Sequence, residues 1–216
     1  TLEPAGGWRD RGDGPDPGAI GCDRAQAAGI LAGEAPFGRD PPPPDPGAPI
    51  VRLVQPNAPQ HLKWREEMIP VFSQRALDLT ATPPEGRVPD LVVWPETTLP
   101  VLLENSNRAR GRVSDAAGGA QVILGAQRIE GFGARNAAAL LDAGGAIRQV
   151  YDKHRLVPFG EYIPGGSVAQ ALGLRGMAEV LAGGYSPGPG PALFEIGGGL
   201  GRAFPMICYE AIFPSY

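Results

Sequence analysis

The stretch "AQVILGAQRIEGFGARNAAALLDAGGAIRQVYDK", residues 120–153, decides the fold. It holds three apolar, strand-sized runs: AQVILGAQRI, NAAALLD and AIRQVYD. The breaks between them, GFGAR and AGG, are short and glycine-rich, which is turn chemistry. Three successive strands are expected here. On the N-terminal side, IVRLVQ (residues 50–55) and DLVVWPE (residues 90–96) read as short buried strands. Between them, residues 62–81 carry Leu62, Ile69, Phe72, Ala76 and Leu79 at helical spacing. Pro70 should start or kink that helix, because proline lacks the N–H an interior position needs. SNRARGRVSDAA (residues 106–117) reads as a polar-faced helix. On the C-terminal side, residues 167–181 read as a helix weakened by Gly173 and Gly176. ALFEI (192–196) and RAFPMICY (202–209) read as strands joined by a GGGLG hairpin. Strand, helix, strand, helix and then a run of strands place the chain in the α/β class, with helices on at least one face of a sheet.

The chain of 216 residues suits one medium domain with a sizeable core. Residues 1–48 differ from the rest: they are rich in Gly, Pro, Asp and Arg and offer too little apolar surface to offset the entropy of ordering. They are read as a disordered or low-complexity linker, with a Pro-rich docking motif at Pro41 to Pro44 as the alternative. Residues 49–216 form the globular part. With 19 basic and 23 acidic residues the formal charge is −4, so no basic surface advertises nucleic acid. No window approaches the roughly 18 consecutive apolar residues of a membrane span. Two cysteines, Cys22 and Cys208, make no disulfide framework, and His61 and His154 have no metal-ligand spacing.

Three reactive side chains end strand-like runs: Glu96 in LVVWPE, Lys153 after QVYD, and Cys208 in FPMICYE. Strand ends of an α/β sheet are where catalytic groups collect. The three types suffice for acyl transfer. A thiolate attacks a carbonyl, a carboxylate takes the thiol proton, and an ammonium stabilises the oxyanion. Taken singly, each has a plainer reading, as a small buried hydrophobe, a turn residue or a solvated lysine. Their joint occurrence in matching contexts favours chemistry. Asn136 is compatible with fixing backbone near the site or with a plain strand start. His154 is expected to be solvated or hydrogen-bonded rather than catalytic. YDKHRLVPFGEYIP (residues 151–164) sets a lysine, Lys153, and a glutamate, Glu161, around a tight apolar turn.

The blocks VVWPETTLP (92–100), YDKHRLVPFGEYIP and ICYEAIFP (207–214), in this order, resemble the three signatures of the nitrilase, or carbon–nitrogen hydrolase, superfamily. LVPFGEYIP after Tyr-x-Lys, together with VQPNAPQHLKW (54–64), resembles the apolipoprotein N-acyltransferase family within it. The resemblance implies a nitrilase-like α/β/β/α sandwich, incomplete at the C-terminus. It implies Glu96 as general base, Lys153 as oxyanion stabiliser and Cys208 as the acylated nucleophile. It further implies Glu161 as a support for lysine and substrate, Tyr209 and Glu210 as required neighbours of the cysteine, and Trp64 in the lipid-facing part of the site. The implied reaction moves an acyl chain from a phospholipid, through a cysteine thioester, to the diacylglyceryl cysteine of an apolipoprotein. Neither metal nor organic cofactor is implied. The parent setting is the bacterial inner membrane, with the catalytic domain facing the periplasm and membrane contact through helices absent from this chain. The alternatives are a soluble nitrilase-type amidase and a catalytically inactive interaction domain.

Hydrogen exchange checks the reading of the first segment. Amides of residues 1–48 are predicted to exchange at nearly intrinsic rates, and strong protection there contradicts it.

Overall fold

The computed structural model describes residues 45–131, 133–162 and 184–213. The expected disorder over residues 1–48 lies outside them except for Asp45 to Ala48, and the expected helix over 167–181 lies wholly outside. Contacts divide the chain at Ala48, and the second unit begins at Pro49.

In that second unit the described elements are β1 (Val51–Leu53), α1 (Ile69–Ala81), β2 (Leu91–Val93), α2 (Asn107–Ala117), β3 (Gln121–Glu130), β4 (Gly133–Leu141), β5 (Ile147–Asp152), β6 (Phe194–Ile196) and β7 (Gly201–Ala203). One five-stranded sheet runs β1-β2-β3-β4-β5. The first three strands are parallel to one another, and β3-β4 and β4-β5 are antiparallel. Parallel neighbours need long connections, and the two helices supply them; antiparallel neighbours need only the turns seen in the sequence. β6 and β7 pair as a separate hairpin across the glycine-rich turn.

The sheet has two apolar faces because successive side chains alternate. Val122, Leu124, Ala126, Ala139 and Leu141 point into one core with Ala76 and Leu77 of α1 and Val113 of α2. Ala138, Leu140 and Tyr151 point the other way, into a second core closed by Phe194 and Ile196 of β6 and by Ile207. The result is helices, sheet and hairpin in three layers, an α/β arrangement as expected.

Two sequence readings need correction. The helix periodicity ran from Leu62, but α1 begins only at Ile69, with Pro70 in its first turn and Met68 at the N-cap. The segment before it is held in turns by Pro59 and Leu62 carbonyls. The expected strand over 202–209 ends at Ala203, so Cys208 does not end a strand. Pro205 cannot donate to a ladder, and Glu210 draws the following residues into a 3-10 turn, Cys208–Ile212.

One close approach positions the functional residues. A Cβ on Gly125, in mid-β3, would lie 2.5 Å from both Pro95 O and Thr97 N. The turn carrying Glu96 thus rests directly on the sheet, with the Thr98 and Leu99 amides donating to Gly125 O. Gly125→Ala is predicted to cost about 3 kcal/mol, because backbone rather than a movable side chain blocks the methyl group. Gly111→Ala, in open space on α2, should instead stabilise by about 0.5–1 kcal/mol. Urea titration of both variants checks the pair.

Candidate active site

Lys153 follows β5 directly, and its N–H donates to Asn136 O at 2.8 Å, which extends the β4–β5 ladder by one bond. Its side chain is only 1% exposed. A charge so placed must be paired. Glu161 Oε1 lies 2.9 Å from Lys153 Nζ, and Glu96 Oε1 lies 4.0 Å away. The two carboxylates expected around one ammonium are therefore there.

Local structure explains how each arrives. The Val157–Tyr162 turn closes on a Phe159 N–H to Tyr162 O bond, and the Glu161 N–H donates to Val157 O. Glu161 Oε2 then accepts the Val157 N–H at 2.8 Å, leaving Oε1 for the lysine. The segment after residue 184 packs along the lysine's backbone: the Gly188 N–H donates to Lys153 O at 2.9 Å. Any Cβ at Gly188 would strike the Asp152 carbonyl.

Asn136 sits inside β4 rather than at its start, 2% exposed. Its Nδ2 donates to Glu96 Oε1 at 2.6 Å and to Glu161 Oε1 at 3.2 Å. One amide thus tethers both carboxylates beside the lysine. Sequence reasoning left its role open because a strand-borne asparagine has no local signature.

Cys208 is exposed and unpaired with any other cysteine. Its φ is +51°, in the left-handed region that costs a non-glycine residue about 1–2 kcal/mol. Glu210 holds it there. This carboxylate is 0% exposed. Its Oε1 accepts from Tyr151 OH at 2.6 Å and from the His154 and Arg155 amides at 2.9 and 3.2 Å. Its Oε2 accepts the Ile207 N–H at 2.9 Å, reaching back to the residue before the turn as a capping carboxylate does. His154 Nδ1 also lies 2.9 Å from Glu210 Oε1, so His154 is hydrogen-bonded, as expected, and bound to a supporting residue. Tyr209 packs edge-on against Phe213 at 5.2 Å.

Beside Glu96 opens a cavity of about 550 Å³, walled by Phe72, Leu99, Val101 and Trp64 among others. Trp64 is 53% exposed. Two groups that sequence reasoning did not single out also reach the site. Lys63 lines the cavity and donates from Nζ to Glu96 O at 2.9 Å. Burial pushes its ammonium below the ordinary lysine range, while the charges of Glu96 and then Cys208 oppose that fall. Tyr185 accepts a hydrogen bond from Gln127 Nε2. Burial raises the Tyr185 phenol, Gln127 opposes this, and Glu161 and Glu96 add to the rise. Lys63 lay beside the flagged Trp64, so its signal was present in the sequence. Tyr185 follows a long glycine-bearing stretch with none.

Glu210→Ala is predicted to destabilise by about 3 kcal/mol or more, since several buried donors lose their acceptor together. Thermal unfolding of the variant beside the parent tests it.

The model of the carbon-nitrogen hydrolase family matches residues 51–216. The apolipoprotein N-acyltransferase of Sinorhizobium fredii is 40% identical over 184 residues, which are 80% of this chain and 34% of that protein. The protein of the same name from Allorhizobium ampelinum is 38% identical over 182 residues, again 80% and 34%. The chain thus spans about a third of the length of these curated relatives. Among solved structures, the NitN amidase from Nesterenkonia sp. AN1 is similar at 20% identity and a TM-score of 0.44, with 77% of this chain and 57% of that chain covered. With the family model matched across Val51 to the end of the chain, this protein belongs to the carbon-nitrogen hydrolase family.

Proposed function

We propose that residues 49–216 form the catalytic domain of an N-acyltransferase that works through a thioester on Cys208, with a phospholipid as acyl donor and the N-terminal amine of a diacylglyceryl apolipoprotein as acceptor. The observation that carries the reading is the buried Lys153 ammonium between Glu96 and Glu161, with Glu96 opening on a cavity whose wall includes Trp64, Ile69, Phe72, Leu99, Val101 and Leu102. The name of the two rhizobial relatives, apolipoprotein N-acyltransferase, supports the acceptor in this reading.

Glu96 acts as the general base. Its side chain is 34% exposed against 14% for Glu161, so it is the carboxylate substrate can reach. Asn136 and Lys153 occupy its Oε1 side, which leaves Oε2 for proton transfer. Glu96 takes the Cys208 thiol proton as sulfur attacks the donor's ester carbonyl carbon. The carbonyl π electrons move to oxygen, and the Lys153 ammonium stabilises that oxyanion. Collapse breaks the ester C–O bond. Glu96 returns the proton to the departing alkoxide, which leaves as a lysophospholipid. In the second half Glu96 removes a proton from the acceptor amine as nitrogen attacks the thioester. The C–S bond then breaks, the amide forms and the thiol is restored. His154, engaged with Glu210, is not the base.

This substrate pair sets the reaction at a membrane surface. Among the described residues no helix is long and apolar enough to cross a membrane.

Intact-mass spectrometry after mixing the protein with phospholipid is the test. A hydroxylamine-labile adduct of one acyl chain is predicted on the parent and none on Cys208→Ser. Glu96→Gln should slow adduct formation by about 10²–10⁴-fold. An adduct that survives Cys208→Ser, or no adduct with any acyl ester, overturns the reading.

A further inference from the structure

Lys63 is the charged group that the proposed acyl-transfer chemistry leaves unused. Among the described residues lining the cavity it is the sole cation, and Glu96 the sole carboxylate. Among the described residues it forms no ion pair within the distance that joins Lys153 to its carboxylates. Its one side-chain hydrogen bond among the described residues is to a neutral acceptor, the Glu96 carbonyl oxygen. An ammonium carries three N–H donors, so two face outward from this contact. The Trp64 ring lies 5.3 Å from Nζ and shields one side. Desolvation is the largest influence on this group, so it has already lost much of its water. A half-buried ammonium with spare donors, in a cavity that also presents Ile69, Phe72, Leu99, Val101 and Leu102, is suited to an anion joined to an apolar chain.

We propose that Lys63 is the recognition point for the phosphate of an amphiphile whose apolar chain fills the adjoining cavity. The proposal rests on the acyl-transfer reading for the identity of that amphiphile, a phospholipid donor. It gives Lys63 a task distinct from that of Lys153. Lys153 is enclosed between Glu96 and Glu161 and serves the oxygen of the reacting carbonyl. Lys63 lies on the cavity side of Glu96, where it can hold the headgroup while the ester is presented to Cys208. Phosphate fits better than carboxylate, because its several oxygens can accept both spare donors at once.

Binding can be measured without chemistry, so the two readings separate. Isothermal titration of the purified protein would use hexadecylphosphocholine and an uncharged hexadecyl glycoside, each below its critical micelle concentration. The phosphodiester is expected to bind at least about tenfold more tightly than the glycoside, the gain of a charge-assisted contact. Lys63→Met, which keeps the stem and removes the charge, should erase that preference while leaving glycoside binding within about twofold. Lys63→Arg should retain most of it. Equal binding of the two probes by the parent overturns the proposal, as does an undiminished preference in Lys63→Met. Equal weakening of both probes by Lys63→Met also overturns it, since that marks a loss of cavity shape. Should the phosphate preference hold and vanish with Lys63→Met while no thioester forms on Cys208, the anion site stands and the acyl-transfer reading falls.

Discussion

The site is organised by one buried ammonium. Burying a lone charge costs far more than any hydrogen bond returns, so Lys153 is tolerable only with its carboxylates in place. Much of the surrounding architecture serves that condition. The Val157–Tyr162 turn brings Glu161 to within 2.9 Å. The Pro95–Thr97 turn, pressed on Gly125, brings Glu96 from the other direction. Asn136, from the strand between them, ties both to one amide. The Gly188 amide fixes the backbone that carries the lysine, by donating to Lys153 O.

Strain is concentrated at the same place. Among the described residues, the non-glycine positions with positive φ are Asn57, Thr97, Phe159 and Cys208. Thr97 adjoins Glu96, Phe159 lies in the turn that delivers Glu161, and Cys208 is the residue proposed as nucleophile. Each conformation survives because neighbouring contacts over-determine it. For Cys208 the main contact set is Glu210, whose oxygens gather donors from Tyr151, His154, Arg155 and Ile207. The cysteine is thereby exposed yet fixed, on a turn tied to the strand that carries Lys153. A sheet with cores on both faces gives these turns rigid footings.

The sequence carried the local features well. The strands β3, β4 and β5, helix α2 and the β6–β7 hairpin are legible because periodicity and glycine turns are local properties. The role of Pro70 was legible for the same reason. What misled was local too: apolar spacing from Leu62 suggested extra helix, and the apolar run to Cys208 suggested a strand. In both cases contacts from elsewhere decided the matter, through the Pro59 and Leu62 carbonyls in one and Glu210 in the other. Glu96, Lys153, Glu161 and Cys208 could be named from their motif blocks. Asn136 was noted with its role open and Lys63 lay unremarked beside Trp64, while Tyr185 had no signal at all, since what each does lies in what it touches across the fold.

The central claim is that the Lys153 ammonium acts on the reacting oxygen and is not merely a structural counter-ion. The most direct measurement is the single-turnover burst of p-nitrophenol released by p-nitrophenyl palmitate, whose leaving group needs no acid help. It compares the parent with Lys153→Met at a temperature where circular dichroism shows both folded. The account predicts a burst slower by about 10²–10³-fold, with little change in the ester concentration needed for half-maximal rate. A burst within tenfold of the parent, from a folded variant, would contradict it.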